Sequence, residues 1–310
     1  MSLSANARAQ VQVHVCVVLW GFTAILGKLI TLRALSLVWW RMALVVLVLG
    51  MLPPVWRGVR RMAPRLVVAY AGIGVLVSVH WLTFYAAIKL ANASVAATCI
   101  AIAPVFLALV EPWVAGRRFE PRELLLGAGV VPGVALIVGG IPDDMHAGLL
   151  VGIVSALFVA LFGAGNKRLA GRADPMTVTA IELCAGVVFL SLLAPLLPHA
   201  GAAFVLPDAH DAALLLILSM ACTLLPFALA LDALRHVSAF SMQIATNLEP
   251  VYAILLAIVL LGEQRQLDAV FYVGGAIVLG VVLLHPLLAR RGPRKPAAEM
   301  LGTCEAKGID

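Results

Sequence analysis

The chain has 310 residues, of which 63% are hydrophobic and only 12% charged, with a formal net charge of +6. Its mean hydropathy is +1.04. Soluble domains carry about a quarter of charged residues, so this composition excludes a soluble enzyme, a nucleic-acid binder and a disordered scaffold. It leaves a membrane protein whose bulk solvent is lipid.

Apolar stretches of spanning length, about 20 residues, recur ten times: 11–30, 34–52, 66–88, 91–113, 123–141, 147–167, 175–197, 211–232, 237–261 and 267–288. The first holds Trp20, Thr23 and Lys28 and is followed by no A-x-A site, which predicts a retained helix rather than a signal peptide. Short breaks separate the stretches, at Pro53-Pro54, Gly116-Arg117-Arg118, Ile141-Pro142-Asp143-Asp144, Gly171-Arg172 and Gly262-Glu263. Buried helices of a soluble protein would need polar faces, and a β-barrel would need alternation. Neither pattern is present. The expected fold is therefore an all-α polytopic membrane protein of ten helices. Residues 1–10 form a short cytoplasmic lead, and 289–310 a solvated, disordered cytoplasmic tail rich in Arg, Lys and Pro.

The cations are sorted by loop. With the N-terminus inside, 17 of the 22 Lys and Arg residues fall on inner segments, and 4 (Lys28, Arg33, Lys89 and Arg265) fall on outer ends. Arg41 lies within the second span. This asymmetry predicts both termini in the cytoplasm of a plasma-membrane protein. Cys16, Cys99, Cys184 and Cys222 lie in apolar runs without CxxC spacing and read as packing residues.

A shift of 146 residues lays the fourth and fifth spans on the ninth and tenth. Ala93 meets Ala239, Pro104 meets Pro250, Val105 meets Val251, Gly116 meets Gly262 and Gly129 meets Gly275. Each half (11–141 and 147–288) then holds five helices. An odd number forces the copies into opposite orientations, a 5+5 inverted repeat of the kind secondary transporters use. Pro104 and Pro250 are the matched helix-break candidates, since each removes a backbone hydrogen bond and can free a carbonyl toward a cavity. Gly129-x-x-x-Gly133 and the glycines at 274, 275 and 280 permit close helix approach.

These residues carry a family pattern. Trp20-Gly21-Phe22, Arg41, Ala93…Pro104…Gly116 and the second block Ala239…Glu249-Pro250…Leu261-Gly262-Glu263 resemble the EamA family of the drug/metabolite transporter superfamily. The resemblance covers about 11–288 and implies a bundle of two five-helix repeats that carries small metabolites, often by export. The first half departs from it, with Gly116-Arg117-Arg118 where the family has Gly-Glu. If that glutamate orders a helix start, the first copy needs another residue for it, such as Glu120.

Ionisable groups at membrane depth are costly and point to function by default. Glu249 lies near the centre of the ninth span beside Pro250, with Thr246 and Asn247 close by. Positions 242, 246, 249 and 253 share a helix face, giving a half-polar stripe on which a carboxyl could exchange protons. The alternative is a structural hydrogen bond between helices. His80, near Trp81, Phe84 and Tyr85, suits proton relay or substrate binding and equally suits packing. Arg41 reads as a functional charge or a snorkelling anchor, and Glu182 as a gate or partner. Trp20 is a candidate cavity wall, Tyr85 a candidate path residue, and Glu111 and Asp232 solvated span ends.

The expected function is a secondary transporter of small solutes, amino-acid-like or otherwise, working by alternating access. Its partners are a small-molecule substrate, the bilayer and protons as the coupling ion, with a homodimer compatible and nucleic acid not expected. A channel-like facilitator, a receptor and a membrane-embedded enzyme are the alternatives. An enzyme is disfavoured because no catalytic motif, metal set or cofactor signature is present in the sequence.

Overall fold

The computed structural model describes residues 5–115, 129–169, 171–197, 204–233, 245–246 and 248–289. Every regular element among them is helical, as lipid demands of a backbone that must satisfy its own hydrogen bonds. Five helices are long and apolar enough to span a membrane: Ala7–Leu29, Pro64–Leu90, Ala93–Val114, Asp143–Arg168 and Pro175–Leu196. Counting one sharply bent pair gives six, and four shorter apolar helices stand beside them. The chain is thus a multi-pass membrane protein.

Helix α1 (Ala5–Leu29) is continuous, and α2 (Ala34–Gly50) follows it closely. Pro53-Pro54 does more than break the chain. The two prolines occupy the first turn of α3 (Pro53–Arg61), which is bent 91° from α2. Proline suits that position because the missing N–H has no helical partner there. Helix α3 exposes Arg57, Arg60 and Arg61 and buries Val55, the pattern of a helix lying in the membrane interface. Helix α4 (Pro64–Leu90) is the longest described element.

The next span is broken into α5 (Ala93–Ile100) and α6 (Ala103–Ala115) by a turn at residues 101–102. Pro104 therefore lies in the first turn of the restarted helix and not at the break itself. Helices α7 (Val130–Gly139), α8 (His146–Arg168) and α9 (Pro175–Leu193) complete this part. Helix α10 (Ala209–Leu216) runs through a π-helical stretch (Ile217–Leu224) into α11 (Leu225–Ala233). Helix α12 (Glu249–Leu256) has Pro250 in its first turn and continues as a π-helical segment (Ala257–Leu261). It stops at Gly262, whose φ of 67° is a left-handed conformation that a side chain would strain. Helix α13 (Ala269–Ala289) ends the described chain.

Helices pair in a repeating scheme. Helix α4 packs on α8 and α9, and α6 packs on α8. Likewise, α11 packs on α1, α10 and its π-helical continuation on α2, and α12 on α1. Helix α5 also packs on α8 and α2 on α4, while α5 with α12, α7 with α13 and α2 with α9 join the two halves. The main core gathers Leu35, Met42, Tyr85, Ile88 and Leu190, while Ile137, Phe271 and Val278 form a second core between α7 and α13. There Gly133 and Gly274 meet backbone to backbone, since a Cβ on Gly274 would lie 2.5 Å from the Gly133 carbonyl oxygen. That contact matches the expected small-residue packing. Gly280 faces open space and takes no part in it.

Glu111 is corrected by the structure. It is 5% exposed and ion-paired with Lys167 rather than solvated, because α6 lies against α8 and brings the lysine to it. Cys16, Cys99 and Cys222 are buried packing residues as expected, whereas Cys184 is exposed.

Candidate functional site

Helix α1 supplies the first wall of a central cavity. Trp20, Thr23 and Ala24 face Glu249, Pro250 and Ala253 of α12, with Ala97 and Ile100 of α5 and Phe84 of α4 closing the sides. The cavity is open on one side, and its empty space, the open side included, is about 220 Å³. Its walls are mainly apolar, with Glu249 as the charged group among them. The break between α5 and α6 lies beside the cavity, as expected where helices are interrupted at membrane depth. Pro250 lines the cavity and Pro104 does not. Its place is taken by Ala97 and Ile100, which precede the break.

Glu249 is half-buried, and among the described residues no hydrogen bond or ion pair holds its carboxylate. Ala253, one turn along α12, shares its face on the cavity, as the helical spacing predicts. Thr246 is half-buried without lining the cavity. Asn247, Met242 and Glu120 lie outside the described residues, as does the Asp232 side chain.

Behind the Phe84 side of the wall lies a second charge. Arg41 on α2 is 5% exposed. Its Nε donates to Thr223 Oγ1 at 3.0 Å, and one terminal nitrogen donates to the Tyr85 hydroxyl at 2.7 Å. The guanidinium plane lies over the Trp81 ring, 3.8 Å from its centroid, a cation–π contact. The carbonyl of Arg41 accepts from Ser219. No carboxylate is within ion-pair distance of Arg41 among the described residues. A side chain fixed by two hydrogen bonds and a ring stack is not snorkelling toward water. The anchor reading of Arg41 therefore fails, and Tyr85 acquires a definite role as its holder.

Gly27 makes that arrangement possible. A Cβ there would lie 2.4 Å from Tyr85 Cε1, so only glycine lets the ring lie flat on α1. Gly27→Ala is expected to push Tyr85 aside, release Arg41 and cost about 1–3 kcal/mol. Thermal unfolding in detergent and solute flux in liposomes check this, and an unchanged flux would contradict it.

His80 lies elsewhere. Its Nδ1 is 2.8 Å from Ser155 Oγ, and Ser155 Oγ donates back to the His80 carbonyl at 3.0 Å. With Phe84 and Phe162 against the ring, it ties α4 to α8 and does not line the cavity. Glu182 on α9 is also remote from it. Its backbone packs onto Gly74 of α4, Asn166 lies beside its carboxyl, and Oε1 is buried without a hydrogen-bond partner among the described residues.

A lattice of charges closes the end of the bundle where α1, α4 and α10 meet. Lys28 Nζ donates to the Ala91 carbonyl at 3.3 Å, and Lys89 Nζ donates to the Ile30 carbonyl. Each cation thus caps the C-terminus of the other's helix. Asp211 accepts from Thr31 N, Thr31 Oγ1 and Leu32 N at 2.8, 2.8 and 3.1 Å. The sequence reading missed the roles of Thr223, Trp81 and this lattice. A hydroxyl at mid-span, as at Thr223, was the one signal available.

The EamA-like transporter family model matches residues 9–139 and again residues 146–295. The chain belongs to the EamA-like transporter family, with two copies of its unit in tandem. A probable terminal-alkyne amino-acid exporter of Streptantibioticus cattleyicolor is 30% identical over 199 residues, covering 62% of this chain and 64% of that protein. The match therefore spans just under two thirds of the curated relative. A solved crystal structure aligns with a TM-score of 0.60 at 18% identity, over 91% of this chain and 98% of that one, and so shares the fold.

Proposed function

We propose that the protein is a secondary transporter that moves small organic solutes across the plasma membrane, outward, by alternating access around the Glu249 cavity. The observation that carries this reading is the cavity beside the α5–α6 break, with Glu249 and Pro250 of α12 in its wall. Family membership and the printed description of the exporter relative agree with it. The four shorter apolar helices are counted as the described parts of further spans, giving ten in a 5+5 arrangement. Support for two related halves comes from the helix pairings, several of which recur when each helix is replaced by the one five spans along. The 17 to 4 distribution of cations supports cytoplasmic termini. In that orientation the lattice of Lys28, Lys89 and Asp211 closes the outer side, as a transporter loading from the cytoplasm requires. Glu249 supplies a protonatable group for coupling.

Two measurements test the proposal. Reconstituted protein should give saturable, counterflow-competent flux, which Glu249→Gln and Glu249→Ala lower by about tenfold or more. Non-saturating flux would indicate a channel, and unchanged rates in both variants would remove Glu249 from the path. In a cysteine-free background, cysteines at 57–61 and at 143–144 should be labelled from opposite sides of the membrane. Labelling from the same side overturns the topology.

A further inference from the structure

One end of the bundle carries a basic surface that the cavity does not use. Helix α3 is seated there by a single face. Val55 is buried, Val59 and Met62 pack against the main core, and a Cβ at Gly58 would collide with the Thr177 side chain at the start of α9. That seating, with the 91° bend from α2, lays α3 across the ends of the spans. Its outer face is thereby fixed. Trp56, Arg57, Arg60 and Arg61 are exposed, and positions 57, 60 and 61 fall together at helical spacing. Arg65 in the first turn of α4 and Arg172 just ahead of α9 are exposed at the same end. None of these five arginines is within ion-pair distance of a carboxylate among the described residues. Asp174, the acid that follows Arg172, instead caps α9, accepting from Thr177 N and Thr177 Oγ1 at 3.0 and 3.1 Å. Apolar surface adjoins the charge. Met51 and Leu52 are exposed at the bend, and the Trp56 ring is held against it, its Nε1 donating to the Gly50 carbonyl. An indole with one polar edge is the kind of side chain that settles at headgroup level.

We infer that α3 is a binding surface for an anionic phospholipid, with Arg57, Arg60 and Arg61 taking the phosphodiester headgroup and Met51, Leu52 and Trp56 lying along the acyl chains. The inference stands apart from the transporter reading, since it concerns the lipid around the protein and needs no flux. The occupant follows from the two halves of the surface. A free phosphate would engage the cations and leave the apolar flank in water. A phospholipid whose phosphate has no compensating ammonium matches both halves at once. The planar fork of arginine suits phosphate oxygens, and each cation near an anionic leaflet adds an attraction that salt screens. Because Val55 and Gly58 fix α3 on the protein, the three arginines are presented together without ordering a loose segment on binding.

The test uses purified full-length protein in non-ionic detergent, with dioleoylphosphatidylglycerol, dioleoylphosphatidylcholine and inorganic phosphate as probes. Bound lipid is counted by native mass spectrometry, and relative affinities come from ligand-dependent unfolding midpoints. Wild type should prefer phosphatidylglycerol to phosphatidylcholine by about tenfold or more, and the preference should shrink as salt is raised. Arg57→Gln, Arg60→Gln and Arg61→Gln should each lower phosphatidylglycerol affinity by about fivefold, and the triple variant should abolish the preference. If the triple variant fails to fold, the three single variants carry the test. Arg265→Gln is the control. It removes an exposed cation near Glu263, which caps α5 at the far end of α4, and should change nothing. The inference is overturned if the two lipids bind wild type equally, if inorganic phosphate reproduces the effect of phosphatidylglycerol, or if the single and triple variants retain the preference. A loss in Arg265→Gln equal to that in Arg57→Gln would assign the effect to net charge and overturn it too.

Discussion

Glu263→Ala should lower stability by about 3 kcal/mol, because it strands donors that the fold has taken out of water. The Glu263 carboxylate is 1% exposed and accepts from Ala93 N at 3.0 Å, Ser94 N at 2.8 Å and Ser94 Oγ at 2.7 Å. These are the orphan N–H groups at the start of α5, and Asn92 takes only the one at Val95. The negative charge also complements the positive end of the helix dipole. Glu263→Gln keeps an acceptor and should cost less than half as much. Unfolding in detergent, with Ser94→Ala alone and combined with Glu263→Ala, gives the coupling directly. Additive losses would show that the contact contributes nothing.

Gly74→Ala should do comparable damage through a different mechanism. A Cβ at Gly74 would lie 2.0 Å from the Glu182 carbonyl oxygen and 2.6 Å from its backbone carbons. Side-chain crowding in a core usually costs about 1–3 kcal/mol and sometimes more. Here the obstacle is backbone, which no rotamer change relieves, so the loss should reach the upper end and separate α4 from α9. Gly72, two residues away, has nothing within 4 Å, and Gly72→Ala on the same helix should be neutral. Equal melting behaviour of the two variants would refute the contact. The same contact explains Glu182 in part. It sits at the tightest crossing of two helices, and its place there is fixed by backbone packing.

Glu263 also shows where sequence reasoning stops. The Gly-Glu ending of the second repeat was visible, and so was its replacement by Gly116-Arg117 in the first. An ordering role at a helix start was the right chemistry. What the linear pattern lacked was the recipient, which is α5, 170 residues back in the chain. Counterparts of this contact in the other half, at Arg117, Glu120 and positions 239–240, lie outside the described residues. His80 shows the same limit. Its depth and aromatic neighbours fitted a relay or packing alike, and the Ser155 hydroxyl beside its ring comes from another helix. Arg41 went the opposite way, since nothing near it in sequence reveals that Thr223 and Tyr85 hold it in place.

The sequence by itself determined that lipid is the solvent, where long apolar helices run, and that the unit is duplicated. These features depend on composition and short-range periodicity, which survive without knowledge of neighbours. The tertiary structure alone decided which of the rare intramembrane charges are satisfied. It paired Glu111 with Lys167, tied His80 to Ser155, used Glu263 to cap a distant helix, and held Arg41 between Tyr85, Thr223 and Trp81. Desolvated charges are governed by the groups within a few ångströms, and in a bundle of this kind those groups come from helices far apart in the chain.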